Sequence, residues 1–161
     1  MRGRGMWTVG LVLVGLAYPL GVAGQASGET AEILAVVTTL FDGMREKDEA
    51  KLRGVWHDEA RLQTAGLDQD GVPRLSSTPI EGFVAGVLGS QAELDEVTFD
   101  EVVQIDGALA TVWAPYNLFV NGSFQHCGVD AIQFVRTQGG WKIFQLTDTR
   151  KREGCDPERR G

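Results

Sequence analysis

The residues best suited to chemistry cluster in one run, His126-Cys127-Gly128-Val129-Asp130. Asp130 lies between Val129 and Ala131, an apolar setting in which an ionised carboxylate is costly without a partner. Two readings follow. Asp130 is a general acid or base with a raised pKa, or a structural carboxylate bonded to Thr147 or His126. His126 precedes it by four residues on the same face of a strand. Such positions stand ~13 Å apart in extended chain, so an acid–base couple needs a bend at Gly128; otherwise His126 is a polar residue at a pocket rim. The two cysteines, Cys127 and Cys155, suit a disulfide if the chain reaches an oxidising compartment. A thiol nucleophile at Cys127 lacks a base on its own face, and His57, His126 and the cysteines do not have zinc-ligand spacing. No metal is expected. No Gly-rich phosphate loop is present, so no nucleotide cofactor is expected either.

These residues need elements to position them. Glu29 to Arg45 carries Ile33, Val36, Val37, Leu40, Phe41 and Met44 at helical spacing. Asp48 is placed to cap a short helix over Glu49 to Arg53. Trp56 to Leu62 alternates as a first strand, and Asp68 to Thr78 reads as a turn-rich loop. Thr78-Pro79-Ile80-Glu81 predicts a helix start with Thr78 as cap and Pro79 in the first turn, ending near Gly89. The period then becomes two. Strands are predicted over 97–105, 108–120, 123–137 and 141–150, joined at Asp106-Gly107, Asn121-Gly122 and Gln138-Gly139-Gly140. Helices followed by an antiparallel meander make the class α+β.

The last joint sets a register. With Gln138-Gly139 as the turn, Phe134 faces Ile143, Ile132 faces Gln145, Asp130 faces Thr147 and Gly128 faces Thr149. Ile132, Phe134, Gln145 and Thr147 then share one face with Asp130 and His126, apolar near the turn and polar beyond it, as a pocket floor would be. Cys127, Val129, Gln133, Lys142 and Asp148 fall on the other face. Cys127 is placed opposite Arg150, close enough to Cys155 for the chain to double back.

The amino end has a different character. Arg2 and Arg4 precede an apolar run from Trp7 to Leu20 and a small-residue exit at 22–26, which together read as a secretory signal over residues 1–24 with cleavage near 24–26. A domain over 27–153 and a tail over 154–161 remain. Lys and Arg number 15 against 22 Asp and Glu; loss of Arg2 and Arg4 leaves 13 against 22. That balance opposes nucleic-acid binding and docking on anionic lipid. The cluster Arg150-Lys151-Arg152 with Arg159-Arg160 reads as a solvated tail.

Helices before a long curved meander, with Leu40-Phe41, the stretch ending Trp56-His57-Asp58-Glu59-Ala60, Val112-Trp113-Ala114-Pro115-Tyr116, and Asn121 to Gly128 followed by Gly140-Trp141-Lys142-Ile143, resemble the nuclear transport factor 2-like superfamily. Within it the chain is similar to the SnoaL-like and lumazine-binding groups. The resemblance implies a cone-shaped sheet wrapped around the first helix, with a pocket at one end. It covers isomerases, dehydratases, epoxide hydrolases and small-ligand binders, so fold does not fix function. By similarity to ketosteroid isomerase, Tyr116 and Asp130 are candidate donors to an enolate oxygen, against a core tyrosine as the alternative. Trp56 is a further candidate wall of the pocket. The first expectation is an exported domain that binds a small, aromatic or heterocyclic ligand. The alternatives are a cofactor-free isomerase or lyase with Asp130 as base, aided by Tyr116 or His126, and a homodimerisation module with Val103, Ile105, Trp113 and Phe119 on its outer face.

Overall fold

The computed structural model describes residues 21–160, with side chains from residue 28 onward. The predicted signal lies outside the described residues as far as residue 20, and its cleavage window falls in the first turns of the first helix. The elements are α1 (Gly21–Glu46), α2 (Glu49–Gly54), β1 (Trp56–Leu67), β2 (Pro73–Thr78), α3 (Ile80–Gly89), β3 (Leu94–Thr98), β4 (Val102–Asp106), β5 (Leu109–Val120), β6 (Ser123–Thr137) and β7 (Gly140–Thr149). The class is α+β, with a large curved sheet that does not close.

One stripe of α1, made by Ile33, Val37, Leu40, Phe41 and Met44, is buried against the sheet. Asp48 caps α2 by accepting from the Lys51 N–H at 3.0 Å, as its position predicts. The opening of α3 differs from expectation. Thr78 ends β2, so Pro79 takes the cap position without a side-chain bond. The predicted loop before it is also half strand. β2 pairs antiparallel with β1 from Leu62↔Thr78 to Leu67↔Pro73 as an exposed ribbon, and exposure on both faces removes the alternation that marks a strand.

The sheet runs β2-β1-β7-β6-β5-β3, with β4 also paired to β5. The meander is antiparallel as predicted, but β1 joins β7 in parallel. Asn121 and Gly122 both have positive φ, at 50° and 75°, which the tight turn between β5 and β6 requires. The strand expected over 97–105 is two strands, and Pro115 explains the break. Its carbonyl accepts from the Phe99 N–H, so the side of β5 that lacks a proline N–H faces the gap between β3 and β4.

The hairpin of β6 and β7 begins in the predicted register, with Thr137↔Gly140 and Phe134↔Ile143. A bulge at Phe144 then shifts it by one residue, giving Gln133↔Gln145, Ile132↔Leu146 and Asp130↔Asp148. One extra residue on one strand exchanges its faces beyond that point. Leu146, Asp148 and Arg150 therefore turn toward α1, and Gln145 and Thr147 turn outward. The shift also places Cys127 opposite Lys151 rather than Arg150.

Cys127 and Cys155 form a disulfide with their Cα atoms 5.8 Å apart. The tail beyond it is exposed, as expected, and is also held in place. Asn117 is fully buried on the outer side of β5, and its amide donates to the carbonyls of Asp156 and Arg159 at 2.8 Å each. Arg159 and Arg160 stack on Phe99 and Phe119. The expected outer apolar face is correspondingly different. Phe119 is buried and Val103 and Ile105 pack toward the core, so Trp113, 55% exposed, stands there with Val102.

Candidate functional site

Alternation along β3, β5 and β6 sends even-numbered residues inward, and after the bulge β7 does the same. Glu96, Tyr116, His126, Asp130, Asp148 and Arg150 thereby meet one cavity of about 130 Å³ at the open end of the sheet. Its apolar walls are Leu40, Phe41 and Met44 of α1, Trp56 and Leu62 of β1, Phe83 of α3, Leu118 and Leu146. Among the described residues, no group of three or more His, Cys, Asp or Glu is arranged to hold a metal ion.

Asp130 is 1% exposed, and its Oδ2 finds no N–H or O–H donor. The Glu96 carboxyl from β3 lines the same cavity, and the titrations of the two carboxyls are linked. Burial, followed by the adjacent Glu96 charge, pushes the Asp130 pKa well above the carboxylate range. Burial likewise pushes Glu96 up to about 7, against the lowering effect of its bond to Asp130. Like charges this close cannot both form without cost, so the pair retains a proton where ordinary carboxylates have lost theirs.

Asp148 is satisfied differently. Thr64 donates to its Oδ1 at 2.5 Å and Arg150 Nε to its Oδ2 at 2.6 Å. A guanidinium thus holds it, and Arg150 is engaged there. The Tyr116 hydroxyl lies 3.0 Å from the Thr149 carbonyl oxygen, 3.3 Å from His126 Nδ1 and 3.5 Å from Asp148 Oδ2. Burial and the surrounding carboxylates push its pKa far up, so Tyr116 remains a neutral donor. Burial, with Arg150 nearby, lowers the pKa of His126 and favours neutral imidazole. Gly128 makes this packing possible. A Cβ there would sit 1.8 Å from the Thr149 carbonyl oxygen and 2.8 Å from the Tyr116 ring.

Of the residues expected at a pocket, Asp130, His126, Tyr116 and Trp56 line the cavity. Asp130 bonds Glu96, and His126 meets Tyr116, so the two are not a direct couple. Ile132 and Phe134 are fully buried in the core beneath. Gln145 and Thr147 belong to the outer face and lie beside Thr111, Trp113 and Gln133. Asp148, assigned outward by the unbulged register, is inside. Glu96 and Arg150 escaped the sequence reading. The alternation Leu94, Glu96, Thr98 was available to place Glu96, but it sits one residue before the predicted strand start. Arg150 stands in sequence at the head of the basic run Arg150-Lys151-Arg152, which masks its inward position.

Comparison with known proteins agrees with this architecture. A solved structure of a protein of unknown function from Mycobacterium tuberculosis superposes with a TM-score of 0.68 at 14% identity, covering 88% of this chain and 83% of that one. A protein from Kribbella flavida gives 0.62 at 20% identity over 78% and 93% of the two chains. A Streptomyces avermitilis protein described as a "putative dehydratase from the NTF2-like family" gives 0.61 at 15% identity over 78% and 98%. At these identities the likeness establishes the fold. No curated protein matches the sequence. The model of the family described as "Putative lumazine-binding" matches residues 28–147, and with the NTF2-like fold around its cavity the chain belongs to that family.

Proposed function

We propose that the chain is an exported small-molecule-binding domain whose ligand occupies the cavity between α1 and the inner face of the sheet. The observation that carries this reading is the cavity itself, with apolar walls and a proton-sharing pair of carboxyls at its polar end. A pocket of this kind gives affinity through its walls and orientation through a few polar groups. Export is supported by the disulfide, which persists in oxidising compartments. A thermal-shift screen of the full chain against aromatic and heterocyclic metabolites tests the reading. A ligand at a hundred times its Kd stabilises the fold by about 2.7 kcal/mol. Absence of any stabilising compound, with side chains filling the cavity in a crystal structure, refutes it.

The shared proton favours a second reading, a cofactor-free isomerase or lyase acting on a carbonyl compound. In this reading the proton on Asp130 first passes to Glu96, whose pKa is raised to about 7. Asp130 then removes a proton from the substrate and Glu96 returns one, while Tyr116 donates to the developing oxyanion. If Asp130→Asn leaves turnover of every accepted substrate unchanged, Asp130 is not the base.

A further inference from the structure

Charge in the cavity is unevenly settled. The inward titratable groups are Glu96 from β3, Tyr116 from β5, His126 and Asp130 from β6, and Asp148 and Arg150 at the end of β7. Asp148 and Arg150 cancel through their 2.6 Å bond, and Thr64 occupies the other oxygen of Asp148. Tyr116 and His126 contribute no charge in their neutral forms. Glu96 and Asp130 remain, two carboxyls with one proton between them and therefore one net negative charge against apolar walls. Asp130 is 1% exposed and lines the cavity, and its Oδ2 has no N–H or O–H donor from the protein.

Building on the small-molecule reading, we propose that the cavity takes a monocationic organic amine whose ammonium group seats between Glu96 and Asp130 and donates to the Asp130 oxygen that has no donor from the protein. An ammonium brings three donors to two acceptor-only carboxylates, and its single charge takes the place of the displaced proton's, so the pair keeps one net negative charge. Charge-assisted bonds of this kind are about twice as strong as neutral ones. The body of the ligand would pack on Phe41, Met44, Trp56, Phe83 and Leu146. An anionic ligand finds no free cation, because Arg150 is engaged by Asp148. A neutral ligand leaves the proton where it is.

Three probes of one shape separate these cases: benzylamine, benzyl alcohol and benzoate, each titrated calorimetrically into the full chain. Benzylamine is expected to bind at least tenfold more tightly than benzyl alcohol, and benzoate not at all. Its binding releases a proton, visible as a heat that changes with the ionisation enthalpy of the buffer. Its affinity rises as pH passes upward through neutrality, because the ammonium and the shared proton compete for the same carboxyls. Glu96→Gln, checked for folding by circular dichroism, should weaken benzylamine about tenfold and leave benzyl alcohol unchanged. If that variant does not fold, proton release by the native chain decides. Benzyl alcohol or benzoate binding as tightly as benzylamine, or benzylamine binding without proton release, overturns the amine assignment and leaves the small-molecule reading intact. Failure of all three probes to bind overturns the amine assignment, while the metabolite screen decides the broader reading separately.

Discussion

At Gly128 an ångström-scale constraint decides who lines the cavity. Because a methyl group there would collide with the Thr149 carbonyl and the Tyr116 ring, Gly128→Ala must push both away. The expected cost is about 2–3 kcal/mol in chemical denaturation, with Tyr116 losing its bond to Thr149. A variant of native stability would show that β7 yields more easily than its pairing suggests. Glu96 and Asp130 predict a pH dependence. Their folded pKa values are raised, so the folded chain holds protons that the unfolded chain has released. Stability from this source is complete in acid, below the ordinary carboxylate pKa, and declines as pH rises toward about 7 and beyond. Half-buried Asp68 and exposed Glu81, whose pKa values are lowered, act in the opposite sense at the acid end. Urea midpoints measured from mildly acidic to neutral pH should fall for the native chain and flatten for Glu96→Gln. Equal slopes in the two proteins would place the titrating group elsewhere.

Among the elements, legibility followed burial on one side. The stripe of α1, the cap of α2 and the Asn121-Gly122 turn were readable because each follows from local chemistry: a one-sided helix, a side-chain acceptor, two positive φ angles. β2 was not, since an exposed ribbon has no buried face to impose alternation. The bulge at Phe144 was not, because nothing in Ile143-Phe144-Gln145 announces an unpaired residue, and it alone exchanged Gln145 and Thr147 for Leu146 and Asp148 at the cavity. Thus Asp130, His126, Tyr116 and Trp56 could be found from sequence, whereas Glu96 and Arg150 required the register. The disulfide was readable from composition and predicted compartment. It closes a loop with a sequence separation of 28, and in the chain-entropy model its removal costs roughly 3–4 kcal/mol. Cys127→Ser should therefore lower the denaturation midpoint by a corresponding amount. Cys127 points away from the cavity, so binding measured well below the transition should persist. Loss of binding in a variant that remains folded would instead couple the tail to the site.

For the molecule as a whole, the outer face of the sheet is a surface open to self-association. Trp113 and Val102 are each 55% exposed there, beside Gln133, Gln145 and Thr147. We expect a homodimer through this face. Trp113→Lys should give a monomer by light scattering with stability altered by no more than about 0.5 kcal/mol, as for an ordinary surface change; a native chain already monomeric at high concentration would refute the pairing. The parallel pairing of β1 with β7 has a consequence in time. β7 lies between β1 and β6 in the sheet although it follows every other described strand in the chain. Until it is available, β1 and β2 have no connection to β6, and α1 has no complete inner face to cover. Contacts between distant parts of a chain form late, after the entropy of closing the intervening loop has been overcome. The sheet of a growing chain is therefore kept unfinished until β7 has been made, and α1, β1 and β2 wait for the same strand to close over them.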